Sequence, residues 1–334
     1  MRIAILAPVA WSTPPKHYGP WEQVAANVAE GLIELGQDVT VFATGDSINS
    51  AKLESVVPIG YEEDRNVDAK VAECLHISNL MEKAKDFDVI HNHFDFLPLT
   101  YAALINTPMI TTIHGFSSAK IIPVYQKYND KTHYVSISNA NRSSDLNYLA
   151  TVYNGLKVEE FTYNDQPEDY LLFLGRIHPD KGTAVAIEIA KRSNRKLIIA
   201  GIIQDHAYFE QKVKPFLDDQ IEFIGTADPI LRDKLLGNAS ALLHPISFEE
   251  PFGLSVAEAM MCGTPVIAFN RGSMPELIAH EKSGFLVHIL EEAVDAVTAL
   301  SRLNRNDCRS WAVKNFSREK MAADYLACYQ QIIT

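Results

Sequence analysis

Residues 170–201 read YLLFLGRIHPDKGTAVAIEIAKRSNRKLIIAG. An apolar run, Tyr170–Leu174, stops at Gly175. A helical pattern follows over 182–193, and a second apolar run ends at Gly201. Strand, helix and strand within about 30 residues make a βαβ unit. Its crossover forces the two strands to be parallel and side by side. Strands that are apolar at nearly every position, not at alternate ones, belong to a sheet covered on both faces.

Working outward, the pattern continues with strands at 221–225, 241–245 and 265–269 and a helix through 257–261. The first half repeats the theme, with strands at 2–7, 38–43, 87–91, 109–113, 133–138 and 151–153 and a helix at 21–36 that Gly36 closes. The expected fold is therefore α/β, two doubly wound parallel sheets in tandem, and the length of 334 residues suits two domains. The polar, acidic stretch 155–170 reads as the linker, which places the domains at 1–155 and 168–317. The tail 318–334 is an amphipathic helix expected to pack back on the first domain. Tandem doubly wound halves bind ligands at the carboxyl ends of strands.

Composition narrows the function. The net charge is −12, and residues 1–155 are themselves acidic, which disfavours nucleic acid and anionic lipid as partners. MRIAILAPVAW reads as a buried first strand, too short in its apolar part for a signal peptide. Cys74, Cys262, Cys308 and Cys328 are scattered, without a C-x2-C pair, and suit a reducing cytoplasm. No oligomeric state is legible.

Four stretches carry candidate chemistry. In SFEEPFGLSVAEAM (247–260) a helix starts at Gly253 or Leu254, where free backbone N–H groups favour an anion. Glu250 lies just before that start and Glu258 just inside it, a spacing that fits a phosphate with polyhydroxy groups on either side. A loop acid and a structural helix acid fit the spacing equally well. In LGRIHPDKGT, Arg176 and Lys181 hang at a strand's carboxyl end, a fork and a point charge for phosphate. In PPKHYGPWE, Gly19 resembles part of a phosphate loop, without the G-x-G-x-x-G of dinucleotide folds. In TTIHGF, His114 follows a strand, a position equally suited to an active-site or a structural histidine.

Two metal readings are weak. His91 and His93 share a face in HNHF, with only Asp95 nearby as a third ligand. Asp86 and Asp88 form a D-x-D, but at the start of a strand. The expectation is therefore no metal site at either.

Taken together, EEPFGLSVAEAMMCGTPVIAFNRGSMPELI, LGRIHPDKGT, VYNGLKVEEF and the N-terminal PPKHYGP…GLIELGQDVTVFATGDS resemble glycosyltransferase family 4, retaining transferases with the GT-B fold. The resemblance implies two Rossmann-like domains facing a cleft, the first on the acceptor side and the second binding a nucleotide sugar. It implies that Glu250 contacts the donor sugar and Glu258 the ribose, and that Arg176 and Lys181 neutralise the diphosphate. Phe252, Gly253 and Leu254 would meet phosphate and sugar through their backbone, and His114 would reach the transferred sugar. Asn154 stands in the NG at the end of the first domain. Where relatives carry Gly-Gly-Thr, this chain has Gly19, Pro20 and Trp21. Pro20 lacks an N–H for phosphate, and Trp21, with Tyr18, falls to the acceptor pocket.

The function so implied is transfer of a hexose from a UDP- or GDP-sugar to a hydroxyl acceptor with retention, without a metal or other cofactor. A GT-B phosphorylase or epimerase, or a silent nucleotide-sugar binding protein, is the alternative. Membrane contact through 118–131, which interleaves Lys120, Lys127 and Lys131 with Ile and Tyr, is the less favoured expectation.

Overall fold

A computed structural model describes residues 1–16, 19–116 and 118–333. The chain divides into two compact units, one built from residues 1–155 with the C-terminal helix and the other from Leu156–Ser317.

The first unit is a sheet of seven parallel strands: β1 (Arg2–Leu6), β2 (Asp38–Phe42), β3 (Lys52–Glu54), β4 (Val89–Asn92), β5 (Met109–Ile113), β6 (His133–Ser136) and β7 (Tyr148–Thr151). Their order is β3-β2-β1-β4-β5-β6-β7. Helices α1 (Pro20–Glu34), α2 (Ala69–Glu82) and α3 (Ile122–Lys127) cover it. The alternation of β1 sorts its side chains between two cores. Ile3 and Ile5 pack with Val24, Val28 and Leu32 of α1, while Ala4 and Leu6 pack with Ile77 and Leu80 of α2.

The second unit is a six-stranded parallel sheet. Its strands are β8 (Tyr170–Leu174), β9 (Lys196–Ala200), β10 (Ile221–Phe223), β11 (Ala241–His244), β12 (Val266–Phe269) and β13 (Gly284–Val287), in the order β10-β9-β8-β11-β12-β13. Its helices are α4 (Thr183–Arg192), α5 (His206–Tyr208), α6 (Pro229–Asn238), α7 (Leu254–Met261), α8 (Met274–Leu277), α9 (Leu290–Thr298) and α10 (Arg305–Phe316). The last helix, α11 (Arg318–Ile333), belongs to the first unit. It lies so close to α1 that a Cβ on Gly31 would stand 2.7 Å from the Ala322 methyl. Arg318 closes this contact on Glu34 at 2.5 Å.

Three elements differ from expectation. β3 and β13 are strands where none was expected, and β7 begins at Tyr148, three residues before the expected start at Thr151. The stretch read as a linker is structured from its first residues. Phe161 is buried, the Thr162 N–H donates to Asp233 at 2.8 Å, and Arg309 donates to the Phe161 carbonyl at 2.9 Å. Its acidic composition serves an outer face of the second unit. Among the described residues no helix is long and apolar enough to cross a membrane.

Candidate functional site

Each sheet reverses its strand order at one place, between β1 and β4 in the first unit and between β8 and β11 in the second. Ligands of doubly wound sheets bind in the crevice at such points. In the second unit the loops leaving β8 and β11 carry Arg176, Lys181, Glu250, Phe252 and Gly253.

These two loops are fastened together. Gly182, just after Lys181, has φ 76°, and a Cβ there would meet the Pro245 carbonyl oxygen at 2.0 Å, so only glycine fits. Next to it the Ser247 N–H donates to the Asp180 carbonyl at 2.8 Å. Lys181 is thereby delivered to Glu250, and the two form an ion pair with both side chains largely buried. The Lys181 ammonium also sits over the Phe248 ring, 4.8 Å from its centroid. Burial by itself would raise the Glu250 carboxyl, but His244 and Lys181 outweigh it and hold it at about 2. His244 closes β11, with Nε2 at 3.7 Å from the Glu250 carboxylate, too long for a hydrogen bond. Burial lowers the imidazole, so it stays neutral.

A third loop, after β12, seats Glu250 from the other side. The Ser273 N–H donates to the Glu250 carbonyl at 3.0 Å and the Gly272 N–H to the Glu249 carboxylate at 2.6 Å. Gly272 cannot carry a Cβ, which would fall 2.3 Å from the Glu250 nitrogen. The NRGS stretch at 270–273 was a visible turn signal, but its partner was not visible in the sequence.

Gly253 precedes α7 in a left-handed conformation, φ 87°, and no side chain caps the helix start. Leu254 is its first residue. The Phe252 side chain is buried against Phe316, with ring centroids 5.8 Å apart, and its carbonyl accepts from the Ser273 hydroxyl at 2.7 Å. Glu258 faces Arg232 of α6 at 3.3 Å. Burial raises its carboxyl while Arg232 opposes the rise. Arg176 does not join Lys181. Its guanidinium turns to Gln204 and stands 3.6 Å from Asp180.

In the first unit His114 follows β5 directly and is buried. Trp21 of α1 stacks on its ring, centroids 5.4 Å apart and planes 20° from parallel. Its Nε2 lies 2.9 Å from Nδ1 of His93. Burial lowers His114 to about 3 and His91 and His93 well below the usual range, so all three rings are neutral. In the sequence His93 offers itself only as a metal ligand. In the fold its Nδ1 is used by His114, and both His91 nitrogens are used by Tyr329 at 2.6 Å and Thr112 at 2.7 Å. Among the described residues no group of three ligand-type side chains converges. Asp88 pairs with Arg2 at 2.6 Å, at the amino end of β4.

Gly19 caps α1 at φ 153°, where a Cβ would press on Glu22 and Pro15, each at 2.9 Å. Glu22 is buried with no cation against it among the described residues, and burial raises its carboxyl to about 7. Asn154 is buried, its side-chain oxygen unpartnered among the described residues. Tyr18 lies outside the described residues.

Two parallel-sheet Rossmann-like units of this kind define the GT-B class of glycosyltransferases. Solved structures agree on the fold: a glycosyltransferase involved in avilamycin A biosynthesis (TM-score 0.74, 24% identity, 100% of this chain and 98% of that one) and Anabaena HepE in complex with UDP-glucose (TM-score 0.74, 17% identity, 99% and 100%). The model described as Glycosyltransferase Family 4 matches residues 21–148, and that described as Glycosyl transferases group 1 matches residues 158–316. The chain belongs to glycosyltransferase family 4 and is a glycosyltransferase. It is similar to an uncharacterised glycosyltransferase of Methanocaldococcus jannaschii, 25% identical over 86% of this chain and 85% of that protein. It is also similar to the phosphatidyl-myo-inositol mannosyltransferase of Mycolicibacterium smegmatis, 25% identical over 100% and 92%. The N-acetyl-alpha-D-glucosaminyl L-malate synthase of Bacillus anthracis is 25% identical over 79% and 78%.

Proposed function

We propose that the protein is a retaining hexosyltransferase that moves a sugar from a nucleoside diphosphate sugar to a hydroxyl acceptor without a metal. The observation that carries this reading is the pairing of Lys181 with Glu250 at the switch point of the second sheet, beside the uncapped start of α7. A buried cation, a buried carboxylate and free backbone N–H groups in one place match a diphosphate joined to a polyhydroxy ring. HepE, whose fold this chain shares, is described in complex with UDP-glucose, which supports the donor class. Relatives named for malate and phosphatidyl-myo-inositol support a hydroxyl-bearing acceptor.

In this reading the bond between the anomeric carbon and the diphosphate oxygen breaks, and the acceptor oxygen bonds to the same face of that carbon. The acceptor's proton goes to the departing diphosphate. Lys181 leaves Glu250 to neutralise the charge that develops on the leaving group, Arg176 turning in from Gln204 and Asp180, and α7 adds its N–H groups. Glu250, relieved of its cation, accepts from sugar hydroxyls, and Glu258 accepts from the ribose. His114 contacts the transferred sugar. Neither acid is a nucleophile, since the two serve different ends of the donor. The test is release of nucleoside diphosphate from UDP- and GDP-sugars. Release that requires an acceptor and is unchanged in EDTA supports the reading. Loss in EDTA restored by magnesium overturns the metal-free clamp, and acceptor-independent release overturns the transferase.

A further inference from the structure

Strand periodicity places His91 and His93 of β4 and its carboxyl end on one face of the first sheet. Thr112 and His114 of β5 lie beside them, the register pairing His91 with Ile110. Both nitrogens of His91 are occupied, by the Tyr329 hydroxyl at 2.6 Å and the Thr112 hydroxyl at 2.7 Å, and Thr112 in turn meets the Tyr325 hydroxyl at 2.7 Å. That fixed ring packs on His93, centroids 4.0 Å apart, while Trp21 covers His114. His93 is thus held in one orientation, with Nδ1 against Nε2 of His114 at 2.9 Å.

Two neutral imidazoles joined nitrogen to nitrogen share one N–H, and the remaining atom of His93 decides which ring owns it. Among the described residues His93 Nε2 is buried with no partner. Were His114 the donor, His93 would carry its own proton on Nε2, burying an N–H with nothing to accept it. Orphaned buried N–H groups are rare in folded proteins, and an unused acceptor is the milder defect. The arrangement that avoids the orphan has His93 donating from Nδ1, which leaves the His114 proton on Nδ1.

We propose that His93 is a positioning residue that fixes His114 in its Nδ1–H form, so that His114 meets the transferred sugar as a hydrogen-bond donor and not as a base. The proposal deepens, and rests on, the reading that His114 touches that sugar. An N–H at that atom suits a hydroxyl oxygen on the substrate and cannot take up a proton.

The full chain, labelled with 15N-histidine and free of donor, gives the tautomer directly through long-range proton–nitrogen NMR of the ring nitrogens. The expected spectrum has protonated Nδ1 and bare Nε2 on both His93 and His114. Protonated Nε2 on His114 overturns the proposal without any variant. In transfer assays His93→Leu removes the donor and should lower kcat about ten- to a hundredfold, as loss of a ring-orienting partner does elsewhere, with KM within about twofold. His93→Asn, which keeps an N–H near the Nδ1 position, should restore most of the rate. Equal losses in both folded variants would reduce His93 to packing and overturn the positioning role. If His114→Ala leaves transfer intact while NMR shows the Nδ1–H form, the contact with sugar falls and the donor role with it, and the tautomer assignment stands.

Discussion

The two units solve the same topological problem with opposite chemistry. At the strand reversal of the second sheet stand charged groups, Lys181 with Glu250 and Arg176 with Asp180, each neutralised by a neighbour. Near that of the first stand three neutral imidazoles and a carboxyl, Glu22, that burial pushes to about 7. A buried ion pair is held ready for exchange, since an incoming diphosphate can replace one partner and sugar hydroxyls the other. Three buried neutral imidazoles have no charge to exchange and can only orient. One region is therefore built to trade partners, the other to stay as it is.

The largest effect should come from breaking the pair. Lys181→Ala strands Glu250 in a nearly buried place, and Glu250→Ala strands Lys181. Each should cost about 2–4 kcal/mol of transition-state stabilisation and lower thermal stability by a similar amount. The double substitution should recover most of the stability and none of the rate. Additive stability losses in this double-mutant cycle would mean the pair is not an energetic unit.

Glu258→Ala should be milder. Arg232 keeps about a third of its side chain in solvent, 35%, so its freed charge is hydrated and stability changes little. Donor affinity measured by calorimetry should fall by about 1.5–3 kcal/mol, the worth of hydrogen bonds to a charged group, with kcat largely kept. A loss confined to kcat would remove Glu258 from the ribose.

The smallest effect separates the units by sign. Glu250, depressed from 4.5 to about 2, adds stability above pH 4.5 that is lost as pH falls toward 2. Glu22, raised from 4.5 to about 7, does the reverse: the fold prefers its neutral form, and stability drains as pH rises from 4.5 through 7. Glu22→Gln should therefore raise the melting temperature at pH 8, by the equivalent of about 1–3 kcal/mol, and not at pH 5. An equal change at both pH values would show that Glu22 ionises freely in the fold.

Legibility in the sequence follows the same divide. The long apolar strands announced both sheets, because burial on two faces leaves uninterrupted Val, Ile and Leu. β3, the three residues KLE at the sheet edge, has no such run, and β13 opens on Gly284, which blurs the pattern. β7 is half-buried throughout, and nothing in YLAT marks its start. In the second unit Arg176, Lys181 and Glu250 stood out because charged residues near glycine after strand ends are visible locally, and Glu258 because a carboxylate interrupts the apolar run of α7. His244 and the seat made by Gly272 and Ser273 were invisible, since their meaning lies in loops brought together from separate strands. His93 illustrates the limit most sharply. Its role depends on a neighbouring strand, and on hydroxyls that stand more than 200 residues away along the chain.

That distance has a consequence for how the protein is made. Tyr325 and Tyr329, which hold Thr112 and His91, lie in α11, which leaves the ribosome after the whole second unit. Domains ordinarily fold in the order of their synthesis. Here the first half emerges with its histidines in place but two of their hydroxyl partners unmade, and it waits for the whole second unit to be translated before its own interior can close. A chain cut before Tyr325 would therefore leave these two contacts of the first unit unmade.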